Sequence, residues 1–195
     1  MKISRGLAVF LLLFASGLTA FAQTTSQGEP PPPSPEYFPK TWVEYKPRDG
    51  KFKIKFPQTP RESSETQEGS AGAATVHIAE HKGLLLYVAT YADAATAGIT
   101  DPKEFLSGIS QSWLEANSGR NLHVIKNEEI AVAGFPARSL EVETSRDVVR
   151  VRWIVVKDRV YYQFVAAPKH EGALKSENGY QELALAFFNS FELTK

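Results

Sequence analysis

His77-Ile78-Ala79-Glu80-His81 is the run in this chain that comes nearest to a catalytic motif. It has the H-x-x-E-H pattern of inverted zinc peptidases. On a helix, residues four apart lie about 6 Å from each other, and two imidazoles can share one zinc. The flanks here read as a strand instead. Thr75, Val76 and Ile78 are β-branched, Lys82-Gly83 marks a turn, and Leu84 to Tyr91 is a ready partner strand. Four residues of strand span roughly 13 Å, too far for one metal bonded at ~2 Å. Glu80 then points to the opposite face from both histidines. The expectation is a structural strand, with no metal ligand and no cofactor.

Other chemistry is as thinly supported. The sequence has no G-x-S-x-G, no phosphate-binding loop and no dinucleotide fingerprint. It has no cysteine, which removes thiol catalysis, thiolate metal sites and disulfides. Glu128 and Glu129 are adjacent, hence on opposite faces of a strand. Carboxylate pairs of the glycosidase kind converge only in space, so the sequence leaves that chemistry open. Lys plus Arg and Asp plus Glu both total 22 in 195 residues. No basic excess points to nucleic acid.

The element that must position any site is Val148 to Ala167, VVRVRWIVVKDRVYYQFVAA. It reads as a hairpin across a Lys157-Asp158 turn. A two-residue turn sets Val155 against Val160, Trp153 against Tyr162, Val151 against Phe164 and Val149 against Ala166. That face is wholly apolar. The other face pairs Val156 with Arg159, Ile154 with Tyr161, Arg152 with Gln163 and Arg150 with Val165. A three-residue turn would set Arg152 against Phe164 and scramble both faces, so the pattern sets the register. Lys-Asp lacks the usual Gly or Asn and leaves the turn type open. The preceding strand, Arg138 to Thr144, sets Leu140 against Val151, Val142 against Val149 and Glu141 against Arg150. Arg152 then has only Ser139 and Gln163 beside it, with Tyr161 diagonal. An Arg beside a Tyr is a composition enriched in binding hot spots. Arg152 and Tyr161 are therefore the candidate docking residues for an acidic or polar partner. The plainer alternative is an Arg whose stem covers apolar surface while its head sits in water, or one paired with a helix carboxylate.

The rest of the chain falls in order. Lys2 and Arg5, the apolar run Leu7 to Phe14, and Ala20-Phe21-Ala22 make a secretory signal peptide over residues 1–22, cleaved between Ala22 and Gln23. Its removal takes two basic residues and leaves a slightly acidic chain. Residues 23–40 are a Pro-rich spacer with four consecutive prolines. Residues 41–195 form one domain. Thr41 to Tyr45 and the alternating KFKIKF (Lys51 to Phe56) are strands. Phe52, Ile54 and Phe56 point inward, and the lysines guard a solvated or edge face. Arg61 to Gly72 reads as a polar loop. Ala74 to His81 and Leu84 to Tyr91 are a hairpin. Asp101-Pro102-Lys103-Glu104 starts a helix with a capping box, and Phe105, Leu106, Ile109, Trp113 and Ala116 form its apolar stripe. Leu122 to Val132 is extended and turns at Gly134. Asn178 is the expected cap of a last helix, with Leu183, Ala184, Phe187 and Phe188 inward, before Phe191 and Leu193. The fold class is α+β: an α-β-α sandwich around a seven- or eight-stranded, mainly antiparallel sheet with two main helices.

Several of these stretches together carry a resemblance. They are Trp42-Val43-Glu44-Tyr45, DGKFKIKFPQTP (Asp49 to Pro60), Gly134-Phe135-Pro136-Ala137-Arg138, VKDRVYYQF and Phe187-Phe188-Asn189-Ser190-Phe191. Over about Trp42 to Leu193 the chain resembles the PsbP-like superfamily, which spans photosystem extrinsic proteins, a Mog-type Ran-binding protein and exported bacterial proteins. The resemblance implies a sandwich around an antiparallel sheet. It also implies binding or assembly without a shared catalytic site, and it transfers no functional residue. The leading expectation is a non-catalytic exported domain, periplasmic or secreted, that binds an extracytoplasmic protein or envelope component. It implies no nucleic acid and no transmembrane segment after signal removal. A small-ligand carrier with a pocket between sheet and helix is the alternative, and a hydrolase the third reading.

Overall fold

The computed structural model describes residues 39–69, 72–83, 85–93, 99–169 and 179–194. The signal segment with Ala22 and Gln23, most of the Pro-rich spacer, and Asn178 lie outside them.

Val148 to Ala167 forms the centre of the main sheet. Its strands are β8 (Asp147–Val156) and β9 (Arg159–Pro168), in the register the side-chain pattern requires: Trp153 opposite Tyr162, Val151 opposite Phe164 and Arg152 opposite Gln163. Lys157 takes φ 56° at the first turn position, and Asp158 is not left-handed. That sign pattern is the one of a type II′ turn, whose twist matches the flanking strands even without glycine.

Hairpins extend the sheet both ways. On one side lie β7 (Phe135–Glu143) and β6 (His123–Val132). Leu140 faces Val151, Val142 faces Val149 and Glu141 faces Arg150 as the alternation demands. Glu141 accepts two hydrogen bonds from Arg150, at 3.0 and 3.2 Å. On the other side lie β5 (Leu86–Asp93), β4 (Gly72–Lys82) and β3 (Arg61–Gly69), giving the antiparallel order β3-β4-β5-β9-β8-β7-β6. Two expectations need correction here. Arg61 to Gly69 is a strand, not a loop; it pairs with β4 from Arg61↔Glu80 onward. β4 runs on to Lys82 and β5 starts at Leu86, so His81 faces Tyr87 and Lys82 faces Leu86.

Each face of this sheet carries a different cover. The wholly apolar face of the hairpin lies under α1 (Pro102–Ala116). Asp101 caps that helix, accepting from the amides of Lys103 at 2.9 Å and Glu104 at 3.1 Å, with Pro102 at the first helical position. Leu106, Ile109 and Trp113 are buried, each worth about 1.5–3 kcal/mol of apolar burial. Ala116 is exposed, and Ser110 takes the inward position instead.

The mixed face is covered twice over. α2 (Tyr180–Asn189) packs Tyr180, Leu183, Ala184, Phe187 and Phe188 inward. Its N-cap is Gly179, left-handed at φ 72°, with no side-chain cap bond. Beside α2 sits a small second sheet, β1 (Val43–Tyr45), β2 (Phe52–Phe56) and β10 (Glu192–Leu193), in the order β1-β2-β10. Phe52, Ile54 and Phe56 point inward as expected. The lysines do not guard an edge, because β2 is the middle strand. Lys53 instead lies between Glu44 at 3.4 Å and Glu192 at 3.1 Å, one from each neighbouring strand. The described residues thus hold ten strands, and the class is an α+β sandwich.

Candidate functional site

The strand register lines up Ser64, His77, Tyr91, Tyr161 and Ile154 as one row across β3, β4, β5, β9 and β8. Two residues further toward the sheet end, Thr66 stands opposite Thr75, and Asp93, Arg159 and Val156 line up across β5, β9 and β8. Titratable groups from distant parts of the chain meet where these rows pass under the small sheet.

Tyr91 is the hub. The His77 ring stacks on it, with centroids 4.6 Å apart and planes 9° from parallel. The Arg159 guanidinium lies 5.1 Å from the Tyr91 centroid, within cation–π range. Arg159 also grips Asp93 with two hydrogen bonds, Nε to Oδ1 at 2.6 Å and Nη2 to Oδ2 at 2.8 Å. Its Nη1 donates to the Asp49 carbonyl. Tyr161 donates its hydroxyl to the Gly50 carbonyl at 3.0 Å. Gly50 is needed there for close packing: a Cβ would collide with Pro47 and the Phe52 ring.

The charge states follow from these contacts. The hydrogen bonds from Arg159 hold the Asp93 carboxyl below the ordinary carboxylate range, against the opposing effect of burial. Burial raises the Tyr91 and Tyr161 phenols. Tyr45, on β1, is raised by burial and by the nearby Glu62 carboxylate. All these tyrosines are therefore neutral phenols at physiological pH. The cluster joins the 49–50 turn to β5 and β9 and so fastens the small sheet to the large one.

His77 and His81 lie on β4, a strand, as the β-branched flanks require. Each rests on a tyrosine of β5: His77 on Tyr91, and His81 beside Tyr87 with centroids 6.2 Å apart. Burial lowers the His81 pKa, so neutral imidazole is favoured there.

Arg152 and Tyr161 share a face with Ser139 and Gln163 as neighbours, but that face is not open surface. Tyr161 is 2% exposed. Arg152 lies under α2, its Nη1 donating to the Phe188 carbonyl at 3.1 Å and its guanidinium 4.8 Å from the Phe188 ring. A cation at the last turn of a helix meets unpaired carbonyls and the negative end of the dipole. Burial also lowers the Arg152 pKa. The covering helix removes the exposure that a docking role for this pair requires, and Arg152 meets that helix through a backbone carbonyl and an aromatic ring, not through the helix carboxylate expected. The side chain beside it is more unusual. Gln163 is 1% exposed, and both its amide atoms, like Arg152 Nε, lack a hydrogen-bond partner.

The residues that sequence reasoning missed are Asp93, Arg159 and Tyr91. Their opposite charges and aromatic ring were visible, but their meeting depends on β5 pairing with β9 across some seventy residues, which no local pattern announces.

No family model and no curated protein matches the sequence. Among solved structures, the chain is similar to cyanobacterial PsbP from Synechocystis sp. PCC 6803. The TM-score is 0.47 at 7% identity, over 88% of this chain and 98% of that one. It is also similar to a Pseudomonas aeruginosa protein of unknown function, with TM-score 0.37 at 15% identity, over 74% of this chain and 94% of that one. No helix among the described residues is long and apolar enough to cross a membrane.

Proposed function

We propose that this chain is a non-catalytic exported domain that binds another extracytoplasmic protein or envelope component. The observation that carries this reading is the closed state of its polar cluster. Arg159, Asp93, Tyr91 and Tyr161 are spent on one another and on the 49–50 backbone, so they support a fixed shape instead of converging on a reacting atom. Capture from the native envelope fraction tests it. Immobilised chain from Gln23 onward is expected to retain one dominant protein in a saturable way, competed by free chain. Retention that does not compete, or turnover of a substrate by the purified protein, overturns the reading.

Export is part of the proposal and has its own test. The exported protein is expected to begin at Gln23, because Ala20-Phe21-Ala22 is a small-x-small site after an apolar run. Intact mass decides this; a mature species that keeps Leu7 to Phe14 contradicts it.

A second reading, a small-ligand carrier, draws on Gln163. A buried amide with both ends unpaired beside a desolvated guanidinium is the polar lining a small polar guest would use. Native mass spectrometry of protein taken from its own envelope tests it. A bound small molecule that is lost in Gln163→Leu favours the carrier; bare protein favours the binding domain.

A further inference from the structure

The edges of the seven-stranded sheet are β3 and β6, nine and ten residues long. Edge strands offer unpaired backbone donors and acceptors to another strand. The two edges differ in what they would accept. β3 carries Glu62 and Glu65 against Arg61 alone, so two β3 edges repel. β6 carries both signs at its centre, Lys126 and Glu128, which sit two apart on one sheet face and pair at 2.8 Å. At one end of β6, Val124 and Ile125 are 42% and 41% exposed, beside a bulge between Val124 and Lys126.

We propose that β6 pairs antiparallel with β6 of a second copy of this chain, about a twofold axis at Asn127. In that register Lys126 of each copy stands opposite Glu128 of the other, and the pairing occurs twice. The exposed Val124-Ile125 bulge of one copy then lies along the Glu129-Ile130 stretch of the other. The register is specified, not merely allowed. A slip by one residue sets opposite faces against each other. A slip by two in one direction sets Glu128 on Glu128, and in the other Lys126 on Lys126. Charges that ordinarily keep an edge from unrelated strands are here complementary to their own dyad image. The result is one sheet continuous through two copies, with both β3 edges outermost. This goes beyond the proposed binding function and stands on β6 alone.

Sedimentation equilibrium of the exported chain over about a hundredfold concentration range is expected to show a monomer–dimer equilibrium. Lys126→Glu and Glu128→Lys each set like charges across the axis and are expected to weaken the dimer by roughly tenfold or more. Mixing the two variants in equal amounts again sets opposite charges across the axis and is expected to restore the wild-type constant. A second measurement fixes the axis. Opposed Cα atoms in an antiparallel pair lie about 4.5–5.5 Å apart, within disulfide range. The chain has no cysteine, so Asn127→Cys is expected to give a disulfide-linked dimer on mild oxidation. A wild type that sediments as monomer throughout overturns the proposal, including one whose β6 edge takes up a strand of another protein. So do single variants that dimerise as tightly as wild type, a mixture no tighter than its parts, or an oxidised Asn127→Cys chain that stays monomeric.

Discussion

Replacing Trp153 with alanine is expected to destabilise the domain by about 3–5 kcal/mol. Trp153 is 0% exposed and among the largest fully buried side chains. It sits mid-strand on β8, under α1, with its ring 5.8 Å from that of Tyr162 across the hairpin. An indole buries 150–250 Å², which at roughly 25 cal/mol per Å² is about 4–6 kcal/mol of transfer energy. Its N–H has no partner in the fold, and deleting that unsatisfied donor returns about 1–3 kcal/mol. The cavity left in a close-packed core adds a cost of its own. The expected loss therefore falls within the range for large-to-small core changes, toward its lower half. Denaturant unfolding measures it. A loss under about 1 kcal/mol would mean that the hairpin is not the centre of the α1-side core.

The second large effect is expected on the opposite face. Phe52→Ala should also cost about 3–5 kcal/mol, through a different layer. Phe52 is 1% exposed on the middle strand of the small sheet. Its ring lies 5.4 Å from Tyr161, 5.4 Å from Phe191, 5.8 Å from Tyr91 and 6.3 Å from Tyr45. Aromatic pairs of this kind add about 0.5–1.5 kcal/mol beyond area burial. Removing the ring takes away what all four others share, and it loosens the turn held by Arg159 and Tyr161. Near-ultraviolet circular dichroism should lose tyrosine signal along with the stability. Because Trp153 and Phe52 sit in separate layers on either side of the sheet, the two losses are expected to add within about 0.5 kcal/mol. A domain of ordinary stability, about 5–15 kcal/mol, can fail to fold with both changes. The double variant is then compared at low temperature or with a stabilising osmolyte. Retained full stability in Phe52→Ala would contradict the account of the small sheet as a structural layer.

What the sequence made legible follows from sequence distance. The β7–β8 and β8–β9 registers were readable because short turns join them and alternating apolar residues leave one acceptable pairing. The α1 start was readable because Asp101 and Pro102 act locally. β3 was hidden because Arg61 to Gly69 carries no apolar alternation. It is held at the sheet edge through β4 backbone pairing, which polar residues make equally well. The small sheet was hidden in part because β10 joins β2 from nearly the other end of the chain. The site suffered most. In-plane neighbours of Arg152 were readable, but the helix lying over it was not, so a covered side chain looked like surface. Asp93 and Arg159 are oppositely charged strand ends whose pairing needs the β5–β9 contact first.

The central claim is that this fold serves binding and not turnover. Its most direct test is equilibrium binding of the labelled exported chain to native envelope vesicles, with and without protease treatment of the vesicles. Saturable binding that unlabelled chain displaces and that protease abolishes is expected. Binding that never saturates, or that unlabelled chain does not displace, would contradict the proposed function; saturable binding that survives protease would place the partner among the non-protein envelope components.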